Sequence, residues 1–158
     1  MLSLDTNMEI SDTKGVYQLV KLDNTTVVAQ WNEVEQVFVD SFVHIKKDWN
    51  EEEKTLLLKA VSDNQLQCWG VFKDNKLIAF ATTAITIEFW GEKKLLIFSL
   101  YGFDRVSLQS WHKLISDLSK YAKSSGCKKI VAFTNNERVI EIVKMYGGDF
   151  SAYIEMEI

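Results

Sequence analysis

The chain has 158 residues, 47% of them apolar, and a formal net charge of -4. That is enough material for one domain with a real core. The lysines are scattered singly or in pairs, Lys46-Lys47, Lys93-Lys94 and Lys128-Lys129, each near carboxylates. Such a distribution argues against nucleic acid as a partner, and no window is apolar for long enough to span a bilayer.

Residues 1–14 are polar and are expected to form an arm that orders only when something holds it. The arm has neither a basic start nor a long apolar stretch, so no secretory signal is expected. With no proline, repeat or low-complexity tract to mark a linker, residues 15–158 read as a single domain. After Gly15, V-Y-Q-L-V-K-L-D has strand composition and runs into the turn-like D-N-T-T. From Val27, the apolar residues Val27, Trp31, Val34, Phe38 and Phe42 fall on one helix face. Asn50 and Glu53 then have the spacing of a capping box ahead of Leu56, Leu57, Ala60 and Val61, which predicts a second helix.

The middle of the chain changes period. Q-C-W-G-V-F, the turn K-D-N-K and the long run L-I-A-F-A-T-T-A-I-T-I-E-F predict a hairpin, and W-G-E-K-K turns the chain into the apolar strand L-L-I-F-S-L-Y. An amphipathic helix follows, with Leu108, Trp111, Leu114, Ile115, Leu118 and Ala122 on one side and Gln109, Lys113, Ser116 and Lys120 on the other. It ends at S-S-G, where Gly126 suits the left-handed position after a helix. The strand I-V-A-F-T, a helix from Glu137 to Tyr146, the breaker G-G and an alternating strand F-S-A-Y-I-E-M-E-I complete the chain.

Cys68 and Cys127 lack a C-x-x-C partner, so zinc and dithiol chemistry are not expected. They read as buried thiols of a cytoplasmic protein. His44 and His112 have no ligand-spaced neighbours, so no metal site is expected. Trp31, Trp69 and Trp111 fit apolar faces. Trp49 and Trp90 stand beside charges at element ends, where they either anchor loops or serve a protein interface.

The order β-α-α-β-β-β-α-β-α-β describes an α/β fold with a mixed sheet, and together with S-K-Y-A-K-S-S-G-C-K-K-I-V-A-F-T-N-N-E-R-V-I-E-I-V-K-M-Y-G-G-D-F it resembles the GNAT superfamily of acyl-CoA-dependent N-acyltransferases. A looser resemblance is to GNAT-like proteins of tailed bacteriophages, some of them internal virion components. That resemblance implies the host cytoplasm or a virion as location. The family ends in two strands after its last helix, whereas this chain has residues for one.

The resemblance also implies where a site should lie. The family's strand-to-helix loop reads Q/R-x-x-G-x-G/A, its glycines letting backbone amides close on the CoA pyrophosphate. Matched onto Y-G-F-D-R-V-S-L-Q-S-W, the motif puts Arg105 first, Leu108 at the first glycine and Ser110 at the second, with Ser107 and Gln109 between. Asn135, in the T-N-N run, completes the cofactor-binding candidates. Leucine at a glycine position would occupy the space through which the backbone approaches phosphate. A helix start capped by Asp104 or Ser107 is the simpler reading.

The family's general base is often a glutamate on the central strands, and Glu88 is the nearest acid here; its general acid is often a tyrosine, and Tyr101 at the end of the central strand is the candidate. Tyr146 lies in the wrong register for that role.

Two functions follow. One is a GNAT-fold protein with a degenerate pyrophosphate loop, a non-catalytic interaction or structural component with a protein partner or a second copy of itself. This is the reading the sequence favours. The other is an acetyl-CoA-dependent N-acetyltransferase with a divergent loop, in which case acetyl-CoA is the cofactor.

Overall fold

The computed structural model describes residues 17–43, 45–102, 107–133, 137–149, 151 and 154–158. The N-terminal arm 1–14 and His44 lie outside them. Strand β1 (Tyr17–Leu22) opens the domain, followed by helices α1 (Asn24–Ala29), α2 (Trp31–Ser41) and α3 (Glu51–Ser62). A helix was expected from Val27; it begins three residues earlier and breaks at Gln30, where φ is -103° and ψ is 20°. The cause is Asp23, whose carboxylate accepts from the Thr26 amide at 3.2 Å and the Thr26 hydroxyl at 2.9 Å. The apparent turn D-N-T-T is therefore a helix cap. Asn24, buried, donates from Nδ2 to the Val61 carbonyl at 3.0 Å and the Leu66 carbonyl at 2.8 Å, which ties α1 to the end of α3.

The expected capping box is present at α3: Asn50 Oδ1 accepts from the Glu53 amide at 2.8 Å and Glu53 Oε2 from the Asn50 amide at 3.0 Å. That backbone donor, with Lys46 beside it, holds the Glu53 carboxyl below its ordinary value. The chain continues as β2 (Gln67–Lys73), β3 (Lys76–Ile87), β4 (Lys93–Gly102), α4 (Leu108–Ser124), β5 (Lys129–Ala132) and α5 (Glu137–Met145). Between β2 and β3, Asp74 and Asn75 both have positive φ, 51° and 63°, as a two-residue hairpin turn of the right twist requires.

The strands lie in the order β1-β2-β3-β4-β5, antiparallel except for the parallel pair β4 and β5. Helices α1 to α3 cover one face through Val27, Trp31, Val34, Phe38, Leu57 and Val61, which pack on Val20, Leu22, Cys68, Phe72, Phe80 and Ala84. Helix α4 covers the other through Leu114, Leu118 and Ala122, packed near Val71, Trp69, Ala81 and Leu95. The fold class and element order read from the sequence are those observed through α5. Both cysteines are buried, and burial pushes the Cys68 thiol up to about 12.

The final strand is a correction. Among the described residues, Ser151 and 154–158 join no ladder, and Ile154, Met156 and Ile158 are exposed. A period of two fixes which side chains share a face, but a strand forms only where a neighbouring edge takes its hydrogen bonds.

Candidate functional site

Parallel strands joined through a helix leave a crevice beyond their carboxyl ends, and that crevice is where open α/β sheets bind ligands. Here the parallel ladder is short: Lys94 to Ile97 of β4 pair with Lys129 to Ala132 of β5. β4 then continues through Phe98 to Gly102 with no ladder partner on β5, a further roughly 16 Å of strand at about 3.3 Å per residue. The stretch of β4 beyond Ile97, with the start of α4 following it in the chain, is therefore the candidate cleft of this fold.

A β-bulge sits where the ladder stops. Thr83 pairs with Ile97 and Thr82 with Ser99, so Phe98 is the extra residue. Phe98 and Ser99 consequently share the face covered by α1 to α3, and every later side chain of β4 changes face relative to an unbroken alternation. Leu100 packs towards α4, and Tyr101, paired with Phe80, points to the α2 side.

A chain of buried hydroxyls fixes the bulge. Thr82 Oγ1 lies 2.6 Å from Ser99 Oγ, which lies 2.9 Å from Ser41 Oγ on α2, and Ser41 Oγ is 2.7 Å from the Phe38 carbonyl oxygen. Ser41 is the donor in both of its contacts, its one proton shared between the Phe38 carbonyl and Ser99 Oγ. The proton of Ser99 itself is then free for Thr82 Oγ1, a contact in which either oxygen can donate. None of these residues was singled out from the sequence, because a serine and a threonine in apolar strands have no signature until a helix supplies the third member.

Ser107 caps α4. Its Oγ accepts from the Ser110 amide at 3.2 Å and lies 2.8 Å from Ser110 Oγ. The first turn contains no acid, so no side-chain charge offsets the positive end of the helix. Gln109 is exposed and Ser110 half-buried in this turn. Leu108 opens the helix, its side chain being outside the described atoms; Arg105 and Asn135 lie outside the described residues.

Among the candidates, Tyr101, Ser107, Gln109 and Ser110 lie at the cleft end of β4 or at the start of α4. Glu88 does not. It follows β3 at the opposite end of the sheet and forms an ion pair with Lys94, whose pKa that carboxylate raises. Lys94 and Tyr101 are seven positions apart on β4, or about 23 Å.

Tyr146 has a different role from the one its neighbourhood in sequence suggests: its hydroxyl donates to the His112 carbonyl at 3.0 Å and lies 3.0 Å from His112 Nδ1, pinning the end of α5 to α4. The hydroxyl has one proton and the carbonyl takes it, so Nδ1 is the donor to the tyrosine oxygen. A hollow of about 470 Å³ lined by Val39 and Trp49 has no residue of β4 or β5 in its wall and is separate from the cleft.

No protein-family model matches the chain, and no curated protein matches it in sequence. Solved structures do resemble it. A predicted acetyltransferase from Clostridium acetobutylicum with acetyl-CoA superposes with a TM-score of 0.60 at 18% identity, over 90% of this chain and 96% of that one. A GNAT family acetyltransferase from Staphylococcus aureus gives 0.59 at 14% identity, over 90% and 99%. Glucosamine-6-phosphate N-acetyltransferase from Arabidopsis thaliana gives 0.61 at 14% identity, over 90% and 98%. The fold is that of the GNAT acetyltransferases.

Proposed function

We propose that this GNAT-fold chain serves as an interaction or structural component whose acyl-CoA cleft is not set up for efficient transfer. The observation that carries the proposal is the head of α4, where Ser107 occupies the Ser110 amide that a pyrophosphate would use and leucine follows at position 108. A phosphate taking that amide displaces a cap that contributes about 1 kcal/mol, which weakens binding about fivefold before the leucine is considered. The described residues of β4 past the bulge and of the first turn of α4 also include no carboxylate to take a proton from an amine. The looser resemblance to phage-encoded GNAT-like proteins supports a phage particle as the setting.

A second reading, an acetyl-CoA-dependent N-acetyltransferase, is supported by the bulge at the end of the parallel ladder. It leaves a stretch of β4 backbone beside the cleft, where a thioester carbonyl could be held by amides.

Thermal unfolding with acetyl-CoA and with CoA, on wild type and on Leu108→Gly, separates the two. A ligand that binds only the folded state at a hundred times its Kd adds about 2.7 kcal/mol, which is several degrees for a chain of this size. The proposal expects no shift for wild type at millimolar ligand and a shift for Leu108→Gly. A clear shift in wild type establishes the second reading instead.

A further inference from the structure

The turn between β3 and β4 is a projecting finger. β2 ends its ladder with β3 at the pair Gln67 and Thr83, and β5 pairs with β4 no further towards the turn than Lys94, so the residues from Ile87 to Lys93 form the free tip, while Ala84, Leu95 and Leu96 behind it are buried. At the tip, Phe89 is fully exposed, Trp90 is 69% exposed and Ile87 is 64% exposed. The tip is nevertheless braced. The Glu88 amide donates to the Glu92 carbonyl at 2.9 Å, the Gly91 amide to the Glu88 carbonyl at 2.8 Å, and Gly91 has φ of 86°. The Trp90 indole N–H donates to Glu92 Oε2 at 3.3 Å, and Lys94 Nζ sits 5.9 Å from the ring centre. Rigid aromatic side chains held in water are the anchors that dominate interface energetics, because little conformational freedom is lost when they bind.

The charges around the finger have a sign. Lys93, Lys94, Lys128 and Lys129 gather there against Glu88 and Glu92, and the Lys128 amide bonded to the Lys93 carbonyl at 2.8 Å fixes the two pairs side by side. Lys94 is taken by Glu88, and Lys129 lies 3.4 Å from Glu92. Lys93 and Lys128 remain exposed without an ion pair among the described residues.

Beside the hollow at the junction of α2 and α3, the first turn of α3 has the opposite sign, with Glu51, Glu52 and Glu53. The lining of the hollow itself is balanced, Asp48 and Glu53 against Lys47 and Lys54. Lys46 and Lys54 are already paired with Glu53 and with Glu35 and Glu51. Its volume of about 470 Å³ is within the range that takes drug-sized ligands, and Val39 and the half-buried Trp49 give it an apolar base. Exposed Val43 and Ile45 lie on the same connection between the two helices.

We propose that the β3–β4 finger of one copy docks in the Trp49-lined hollow of a second copy, Lys93 and Lys128 meeting the acidic first turn of α3. Finger and hollow are different patches, so a single docking is heterologous, whereas a two-fold pair in which each copy gives its finger and its hollow is closed. The side chains at the tip bring roughly 500 Å² to it, at 150–250 Å² per aromatic, which is short of the ~800 Å² per partner of a standard interface. A single docking therefore gives weak association, and a pair that exchanges both fingers reaches the size of a stable dimer. This contact is independent of whether the cleft takes CoA.

Sedimentation velocity across a range of concentrations at low salt tests the idea. The expected result is a mass that rises above the monomer, falls back as salt is raised, and stays monomeric for Trp90→Ser and Phe89→Ser at unchanged melting temperature. Lys93→Glu/Lys128→Glu should weaken self-association at least tenfold, and mixing it with Glu51→Lys/Glu52→Lys should restore a hetero-complex. A wild type that is monomeric throughout, or association untouched by Trp90→Ser, overturns the proposal. Binding of wild type to anionic vesicles without self-association would also overturn it and make a lipid surface the occupant of the finger.

Discussion

Replacing Ser41 by alanine removes the donor to Ser99 Oγ behind the β4 bulge, while Ser99, buried, keeps Thr82 Oγ1 beside it as an acceptor for its own proton. The loss is the ~0.5–1 kcal/mol of one ordinary hydrogen bond. Thr82→Val, by contrast, keeps the volume but removes that acceptor, and Ser41, placed as a donor to Ser99, does not replace it. One unsatisfied buried hydroxyl costs about 1–3 kcal/mol. At about 2–4 °C per kcal/mol for a chain of this size, Thr82→Val at ~2 kcal/mol lowers the melting temperature by roughly 4–8 °C and Ser41→Ala by less than half of that. The triple variant Ser41→Ala/Thr82→Val/Ser99→Ala removes all three polar groups together and should be less destabilised than the sum of the single changes, as expected for a coupled network. Urea unfolding of the four proteins measures this. If Ser41→Ala costs as much as Thr82→Val, or if the triple equals the sum, the polarity assigned to the chain is wrong.

Other expectations are simpler to state. Ser107→Ala removes the cap of α4 and should cost about 1 kcal/mol by denaturant midpoint, yet it bares the Ser110 amide and so should raise any affinity for CoA, read as a larger ligand-induced thermal shift than in wild type. Gly148→Ala places a methyl 2.9 Å from the Val143 carbonyl oxygen and should destabilise the end of α5, seen as faster amide exchange there. Cys68 should resist alkylation at pH 8 until the protein unfolds, with mass spectrometry as the readout. Its folded pKa of about 12 stands above the ordinary 9.0, so its contribution to stability is complete below pH 9 and is lost as pH rises towards 12. Asp23 and Glu53 have the opposite sign: their lowered values mean stability that is present above pH ~4.5 and declines as pH falls further.

The sequence by itself determined the elements whose cause is local. The capping box at Asn50, the K-D-N-K turn between β2 and β3 and the apolar faces of α2 and α4 all follow from side chains within a few residues of one another, and all are where the pattern put them. The burial of Trp31, Trp69, Cys68 and Cys127 follows from the same periodicities.

What only the tertiary structure decided involves partners distant in sequence. The bulge at Phe98 depends on the β3 register, and it turns Ser99 and Tyr101 towards α2, which no period-two reading of L-L-I-F-S-L-Y could reveal. The Ser41 to Ser99 link of the hydroxyl chain spans 58 positions, and the Tyr146 to His112 pair spans 34. Glu88 was the nearest acid along the chain, but β4 runs away from it, so proximity in sequence became separation across the sheet. The last segment shows the converse: its alternation is strong, but alternation only prepares a strand, and hydrogen bonds to a neighbouring edge make one.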